Sequence, residues 1–240
     1  MPGQLAVTIA DLVQHACPNL RLGVVVASVP SNGTLAAGLG RALESQTAIW
    51  RASESTAGDP WLAAMADTFR RAGANPGRYA PSATALVKRL RQGKDIYRIN
   101  DLVDCNNLIS LEIAIPVGIY DRDHLSGGRL SFDLGAPQVS YLGIDGVEQR
   151  TQGKLLLADR DKVLGGPHAD AHPTRITDQT RHIVQVLYYP DALETPRAVE
   201  RGLTLATERL ATHCQAVVLT SFVVGGGSWG GPLQEPEPPT

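Results

Sequence analysis

Along the first ninety residues apolar positions recur mostly at intervals of three and four, and beyond them they bunch into short runs separated by turn residues. Leu5, Ile9, Leu12 and Val13 have helical spacing, and Pro18 with Asn19 closes the segment, so residues 5–16 are expected to form a helix. Leu22 to Val29 is continuous and β-branched, the pattern of a strand covered on both faces, and Pro30-Ser31-Asn32-Gly33 turns the chain after it. The Ala-rich segments Thr34 to Trp50 and Pro60 to Ala72 carry apolar residues at the helical period. Ser82 is placed to cap a further helix, Ala83 to Arg91, which ends near Gly93.

The texture then changes. Leu108 to Ile115, Arg129 to Leu134, Gln138 to Ile144, Lys154 to Ala158 and His182 to Tyr189 are bounded by Gly, Pro or Asp and mostly read as strands, the first equally compatible with a helix. Leu193 to His213 returns to helical periodicity, and Ala216 to Val224 is an apolar β-type run. No repeat and no long linker interrupts residues 5–224. The expectation is one α/β (α+β) domain over residues 1–224, a single mixed sheet with flanking helices, followed by a Gly- and Pro-rich disordered tail over 225–240.

Composition narrows the class. A chain of 240 residues, 43% hydrophobic and 19% charged, can bury one large core. Its longest apolar runs fall well short of the roughly 20 residues that span a bilayer, so no membrane partner is expected. The first residues carry neither a basic start nor a compact apolar stretch, which points to the cytosol. Cys17, Cys105 and Cys214 lack metal-type spacing and suit reduced thiols. Net charge is −2, too balanced to grip long nucleic acid by overall charge. Between residues 70 and 98, however, Arg70, Arg71, Arg78, Lys88, Arg89, Arg91, Lys94 and Arg98 face Asp95 as the only acid. That stretch is either a polyanion footprint, with Arg78, Lys88, Arg89 and Arg91 as candidate tRNA contacts, or a solvated helix face.

Three blocks carry the chemistry. The first, residues 79–125, holds Pro81-Ser82 before a basic helix, then Ile99-Asn100, Val103-Asp104, Asn106-Asn107 and Pro116-Val117-Gly118-Ile119-Tyr120-Asp121. The second is Tyr141 to Gly146 followed by Ala158-Asp159, and the third is Gly165 to Arg181. Together they resemble the third and fourth modules of the phenylalanyl-tRNA synthetase beta chain, and free-standing homologues of those modules more closely still. The resemblance implies that module's fold and its accuracy function, hydrolysis of tyrosine mischarged on the phenylalanine tRNA. Two departures stand out: the synthetase motif's histidine falls on Gly118 and its Gly-Gly-Glu acid on Pro167. The editing residues themselves are therefore not carried over.

Read as chemistry, Asn100, Asn106 and Asn107 offer paired donors and acceptors, and Asp104 or Asp121 could hold an ammonium group. The same residues also serve as turn and cap residues. Gly118, Gly143 and Gly146 would let a ligand approach backbone, or simply meet a turn's needs. With Thr174 of the third block, these residues are expected to converge on one substrate pocket with Asp170.

In the third block His168, Asp170 and His172 alternate with alanine, which on an extended backbone puts them on one side as candidate proton carriers. They would also suit zinc, but same-side neighbours on a strand stand about 6.5–7 Å apart and seldom converge on one ion, so neither a metal nor another cofactor is assigned. Cys105 is a remote candidate nucleophile, more simply a buried hydrophobe. Three functions fit: a trans-acting aminoacyl-tRNA deacylase, a non-catalytic tRNA- or amino-acid-binding module, or a pocket recruited to tailor an amino-acid derivative in biosynthesis. The partner is accordingly tRNA or an amino-acid-derived small molecule, with no protein partner identifiable.

Overall fold

The computed structural model describes residues 5–33, 37–53 and 60–226. The tail expected over 225–240 lies almost wholly outside them. In chain order the elements are β1 (Ala6–Ile9), α1 (Asp11–Ala16), β2 (Arg21–Ser28), α2 (Ala37–Ala52), α3 (Pro60–Arg71), α4 (Ser82–Arg91), α5 (Asp101–Ile113) and β3 (Val117–Asp121). They continue with β4 (Arg129–Leu134), β5 (Ser140–Leu142), β6 (Glu148–Arg150), β7 (Leu155–Ala158), β8 (Val163–Gly165), β9 (His182–Tyr189), α6 (Thr195–Cys214) and β10 (Val217–Val224). The architecture is mixed α/β, with helices flanking sheets, as the patterning implies. It differs in having more than one sheet.

The central sheet runs β10-β2-β9-β3 and is antiparallel throughout. Its strands alternate their side chains between two covers. Val25 and Ala27 of β2, with Ile183 and Leu187 of β9, enter the core built with α2, α4, α5 and α6. Leu22, Val24 and Val26, with Val184, Val186 and Tyr188, enter a second core shared with Val7, Leu130, Phe132, Leu155, Leu157 and Leu164. Those last residues belong to the second sheet, β1-β4-β7-β8, in which β1 pairs parallel to β4. A strand covered on both faces needs apolar residues at every position, which is why Leu22 to Val29 shows no alternation. Each such fully buried side chain contributes about 1.5–3 kcal/mol.

One further expectation is corrected and one open alternative is settled. Residues 5–16 do not form one helix. Leu5 and Val7 are buried between exposed Ala6 and Thr8, a two-residue period satisfied by pairing with β4, and only Asp11–Ala16 is helical. Sheet pairing here overrides the spacing of Leu5, Ile9 and Leu12, the last of which is exposed. Leu108 to Ile115 resolves as helix: α5 starts at Asn100, whose side chain accepts the Val103 N–H at 3.0 Å, and packs its apolar residues against β3, α2 and α6. At its end Ala114 adopts a left-handed conformation (φ 56°), which turns the chain directly into β3.

Candidate active site

The N-terminal turns of α4, the middle of α5, the first residue of β3 and residues 166–170 enclose a cleft of about 310 Å³. Ser82, Leu86, Tyr97, Asn106, Asn107 and Val117 line one part, and His168 and Asp170 another. The loop carrying the last two is held on all sides by backbone. Ser82 N–H donates to Pro167 O at 2.8 Å, Gly166 N–H to Ala169 O at 3.0 Å, Ala171 N–H to Leu164 O at 2.8 Å and Ile144 N–H to Asp170 O at 3.1 Å. Gly165 has φ +137°, and a Cβ on Gly166 would stand 2.3 Å from Leu155 O, so both glycines are required by the packing.

Asp170 is half-buried at the cleft wall. Desolvation pushes its carboxyl up to about 7, against the opposing pull of hydrogen bonds from the Tyr120 hydroxyl and the Ile119 N–H. The Tyr120 hydroxyl in turn lies 2.7 Å from that of Tyr188, and both rings are buried. The Tyr120–Tyr188 pair, in which either hydroxyl can donate to the other, thus stands behind the Asp170 carboxyl.

Gly118 lies two residues before Tyr120 on the same strand face, and a Cβ there would stand 2.4 Å from the Tyr120 hydroxyl. The tyrosine therefore takes up the space a side chain at 118 would need. That makes Gly118 a packing partner of the carboxylate's support and places it outside the cleft lining.

His168 is half-buried, and its Nε2 lies 3.0 Å from the Tyr141 hydroxyl. Desolvation, helped by the charge of Lys154, lowers its imidazole to about 4. Lys154 is almost fully buried between the rings of Tyr79 and Tyr141, 4.6 and 5.0 Å from their centres, and donates to Gln149 Oε1 at 3.1 Å. Burial and then Arg78 lower the lysine's own pKa.

The polar residues at the start of α5 are placed differently. Asp104 is buried against Arg98, with Nε to Oδ2 at 2.7 Å, and also accepts the Ile99 N–H at 3.0 Å. Asn100 caps the helix. Asn106 donates to Val117 O at 2.8 Å and accepts from Gln185 at 2.9 Å, so it borders the cleft with its amide already engaged. Asp121 accepts from Thr180 Oγ1 at 2.6 Å and caps the short turn after β3.

Of the residues expected to converge, Asn106, Asn107 and Asp170 share the cleft, which His168 also lines. Asn100, Asp104 and Gly118 are not among its lining residues. Gly143 pairs with Ala171 and Thr174 donates to Leu164 O at 3.3 Å, so both brace the loop from behind. Gly146 sits in an exposed turn with φ +76°.

His168, Asp170 and His172 do not share one side as an extended backbone would require. The chain bends at Pro167-His168, and a 3₁₀ turn begins at His172, whose Nδ1 meets Arg175 at 3.0 Å. Among the described residues no group of three His, Cys, Asp or Glu is arranged to hold a metal ion. Cys105 is fully buried, and its contact with Cys214, followed by burial, raises its thiol well above the usual value.

The basic stretch divides by face. Arg71 pairs with Asp67 and Asp191, and Arg98 with Asp104. Arg91 stacks at 5.5 Å on Trp50, and Arg78 at 5.3 Å on Tyr79. Arg89 stands over Tyr97 at 3.9 Å on the cleft wall and joins Lys88 and Lys94 along a shallow groove that begins at the cleft's Ala85 edge. Two residues apart on a helix point to nearly opposite sides, which separates Arg91 from Arg89.

Sequence reasoning missed Lys154, Tyr79 and the paired Tyr120 and Tyr188 as parts of the site. A lysine heading the apolar run Lys154-Leu155-Leu156-Leu157 was the available signal.

Residues 64–214 match the model of the B3/4 domain, and the chain belongs to that family. It is 27% identical over 143 residues to the phenylalanine–tRNA ligase beta subunit of Geobacter metallireducens, covering 57% of this chain and 16% of the relative. The beta subunits of Nitratidesulfovibrio vulgaris (30% over 115 residues, 46% and 14%) and Moorella thermoacetica (31% over 114 residues, 44% and 14%) are similar to it in the same way. The chain thus spans 14–16% of the length of these curated relatives. No described helix is long and apolar enough to cross a membrane.

Proposed function

We propose that this protein is a trans-acting deacylase that hydrolyses the ester of a mischarged amino acid on tRNA. The observation that carries the reading is Asp170, a carboxyl pushed up to about 7 at the wall of a cleft whose size is at the small end for ligand pockets. Membership of the B3/4 family and relatives that are tRNA ligase subunits support it. A base with a pKa near the working pH is half ionised yet still able to return its proton. In this scheme Asp170 takes a proton from water as the water oxygen attacks the ester carbonyl. The tetrahedral intermediate then expels the ribose oxygen, which receives that proton from Asp170. Leu86, Tyr97 and Val117 give the amino acid an apolar wall, Asn107 and Ser82 give it polar atoms, and the Lys88–Arg89–Lys94 groove gives the acceptor-stem phosphates a path outward.

A second reading, binding of the charged tRNA without chemistry, is favoured by Gly118 and Pro167 at the positions where the synthetase motifs carry their histidine and acid. Deacylation assays across all charged tRNAs separate the two. The first reading predicts accelerated hydrolysis of at least one, reduced about 10²–10⁴-fold in Asp170→Asn with folding intact. Tight tRNA binding with no acceleration of any would leave the binding module.

A further inference from the structure

His168 lines the cleft, but its two ring nitrogens are treated unequally. Nε2 is 3.0 Å from Tyr141 Oη, whereas Nδ1 is buried with no hydrogen-bond partner. Tyr141 Oη is also 3.4 Å from Lys154 Nζ, and an ammonium group donates and never accepts. Lys154 therefore fills an acceptor position on the tyrosine oxygen, and the tyrosine's own proton needs an acceptor elsewhere.

Two assignments can be weighed. With the proton on Nε2, Tyr141 would accept from both neighbours, its O–H would have no acceptor, and the Nδ1 lone pair would also be stranded. With the proton on Nδ1, Lys154 donates to Tyr141, Tyr141 donates to Nε2, and one group alone is left over, the Nδ1–H. Buried polar groups are costly to strand, so the second arrangement wins.

We propose that Lys154 and Tyr141 are positioning residues that lock His168 in the Nδ1–H tautomer, leaving beside the cleft one neutral donor that no protein group satisfies and that a carbonyl or oxyanion of the ligand reaches by parting its cover. The ligand half of this inference rests on the cleft being the ester site, while the tautomer half does not. The low imidazole pKa, set by desolvation and Lys154, agrees with a ring that stays neutral near neutral pH. Tyr141, raised to about 12 chiefly by desolvation, keeps its proton to give. His168 is then a donor beside the carboxylate, and Asp170 is left as the proton acceptor.

The test is a two-bond ¹H–¹⁵N correlation spectrum of the imidazoles of the full chain near neutral pH, with His168 assigned among the six histidines by loss of its signals in His168→Gln. The expected result is a pyrrole-type Nδ1 and a pyridine-type Nε2 in the wild type, and a mixed or reversed pattern in Tyr141→Phe, which keeps the ring. Lys154→Met should raise the His168 pKa and loosen the same preference. A protonated Nε2 in the wild type overturns the proposal, as does an unchanged Nδ1–H pattern in a folded Tyr141→Phe.

Adding an amide-linked, hydrolysis-resistant aminoacyl-adenosine should shift the Nδ1–H signal as it moves the Asn107 side-chain amide. Binding that moves Asn107 and leaves His168 untouched overturns the donor role. Failure of the analogue to bind argues against the ester site, and the spectra of the free protein still decide the relay.

Discussion

Asp104 at the start of α5 and Asp170 at the edge of the cleft are both withdrawn from water, yet the protein equips them in opposite ways. Asp104 meets the Arg98 guanidinium and a backbone N–H, and its neighbours Asn100 and Asn106 are likewise engaged. Asp170 receives one hydroxyl and one N–H, its carboxyl is raised, and the imidazole two residues away has a nitrogen with no partner. Polar groups whose bonding is complete hold a fold together, while those left short are available to a ligand. Asn100, Asp104 and Asn106 are of the first kind and the loop after β8 is of the second.

The sharpest way to break this contrast is to remove Arg98. Arg98→Ala strands a buried carboxylate, and a loss of about 3–4 kcal/mol is expected in urea unfolding. A change under about 1 kcal/mol would mean that Asp104 is not held as described. Next comes Gly166→Ala, where the added methyl meets Leu155 O. A loss of about 2–3 kcal/mol is expected, with deacylation falling further than unfolding explains because the loop carrying Asp170 must shift.

Asp170 itself should behave in reverse. Its folded pKa of about 7 exceeds the ordinary 3.8, so the folded chain keeps a proton that the unfolded chain releases. Stability from this group is therefore present below about pH 4 and is lost as pH rises to about 7. Asp170→Asn should match the wild type at low pH and exceed it at pH 8 by about 2 kcal/mol in thermal or urea unfolding, about half of what the full shift converts to, because solvent screens this half-exposed carboxyl. The smallest effect is on the groove. Lys88→Glu with Arg89→Glu should lower the salt slope of tRNA binding by about 1–2, whereas Arg91→Glu, turned onto Trp50 and outside the groove lining, should leave it unchanged apart from any loss of stability.

The legible part of the molecule was that in which local pattern and final environment agree. β2, β9, α3 and α6 lie where their runs and periods indicate, because both faces of the central strands are covered and each helix buries one stripe. β1 was illegible because its partner, β4, lies more than a hundred residues away. The site was half legible. Asp170 and His168 stood out by residue type, but no spacing rule indicates that Lys154 reaches Tyr141 or that Tyr120 reaches Asp170. Those contacts arise where β7, the β5–β6 hairpin and β3 meet the loop, a consequence of sheet packing.

The most direct measurement is the ¹³C titration of the Asp170 side-chain carboxyl by NMR, assigned by its loss in Asp170→Asn and followed beside that of Asp104. The account predicts a midpoint for Asp170 near 7. A midpoint in the ordinary carboxylate range, near 4, would contradict it and remove the reason for placing the chemistry at this loop.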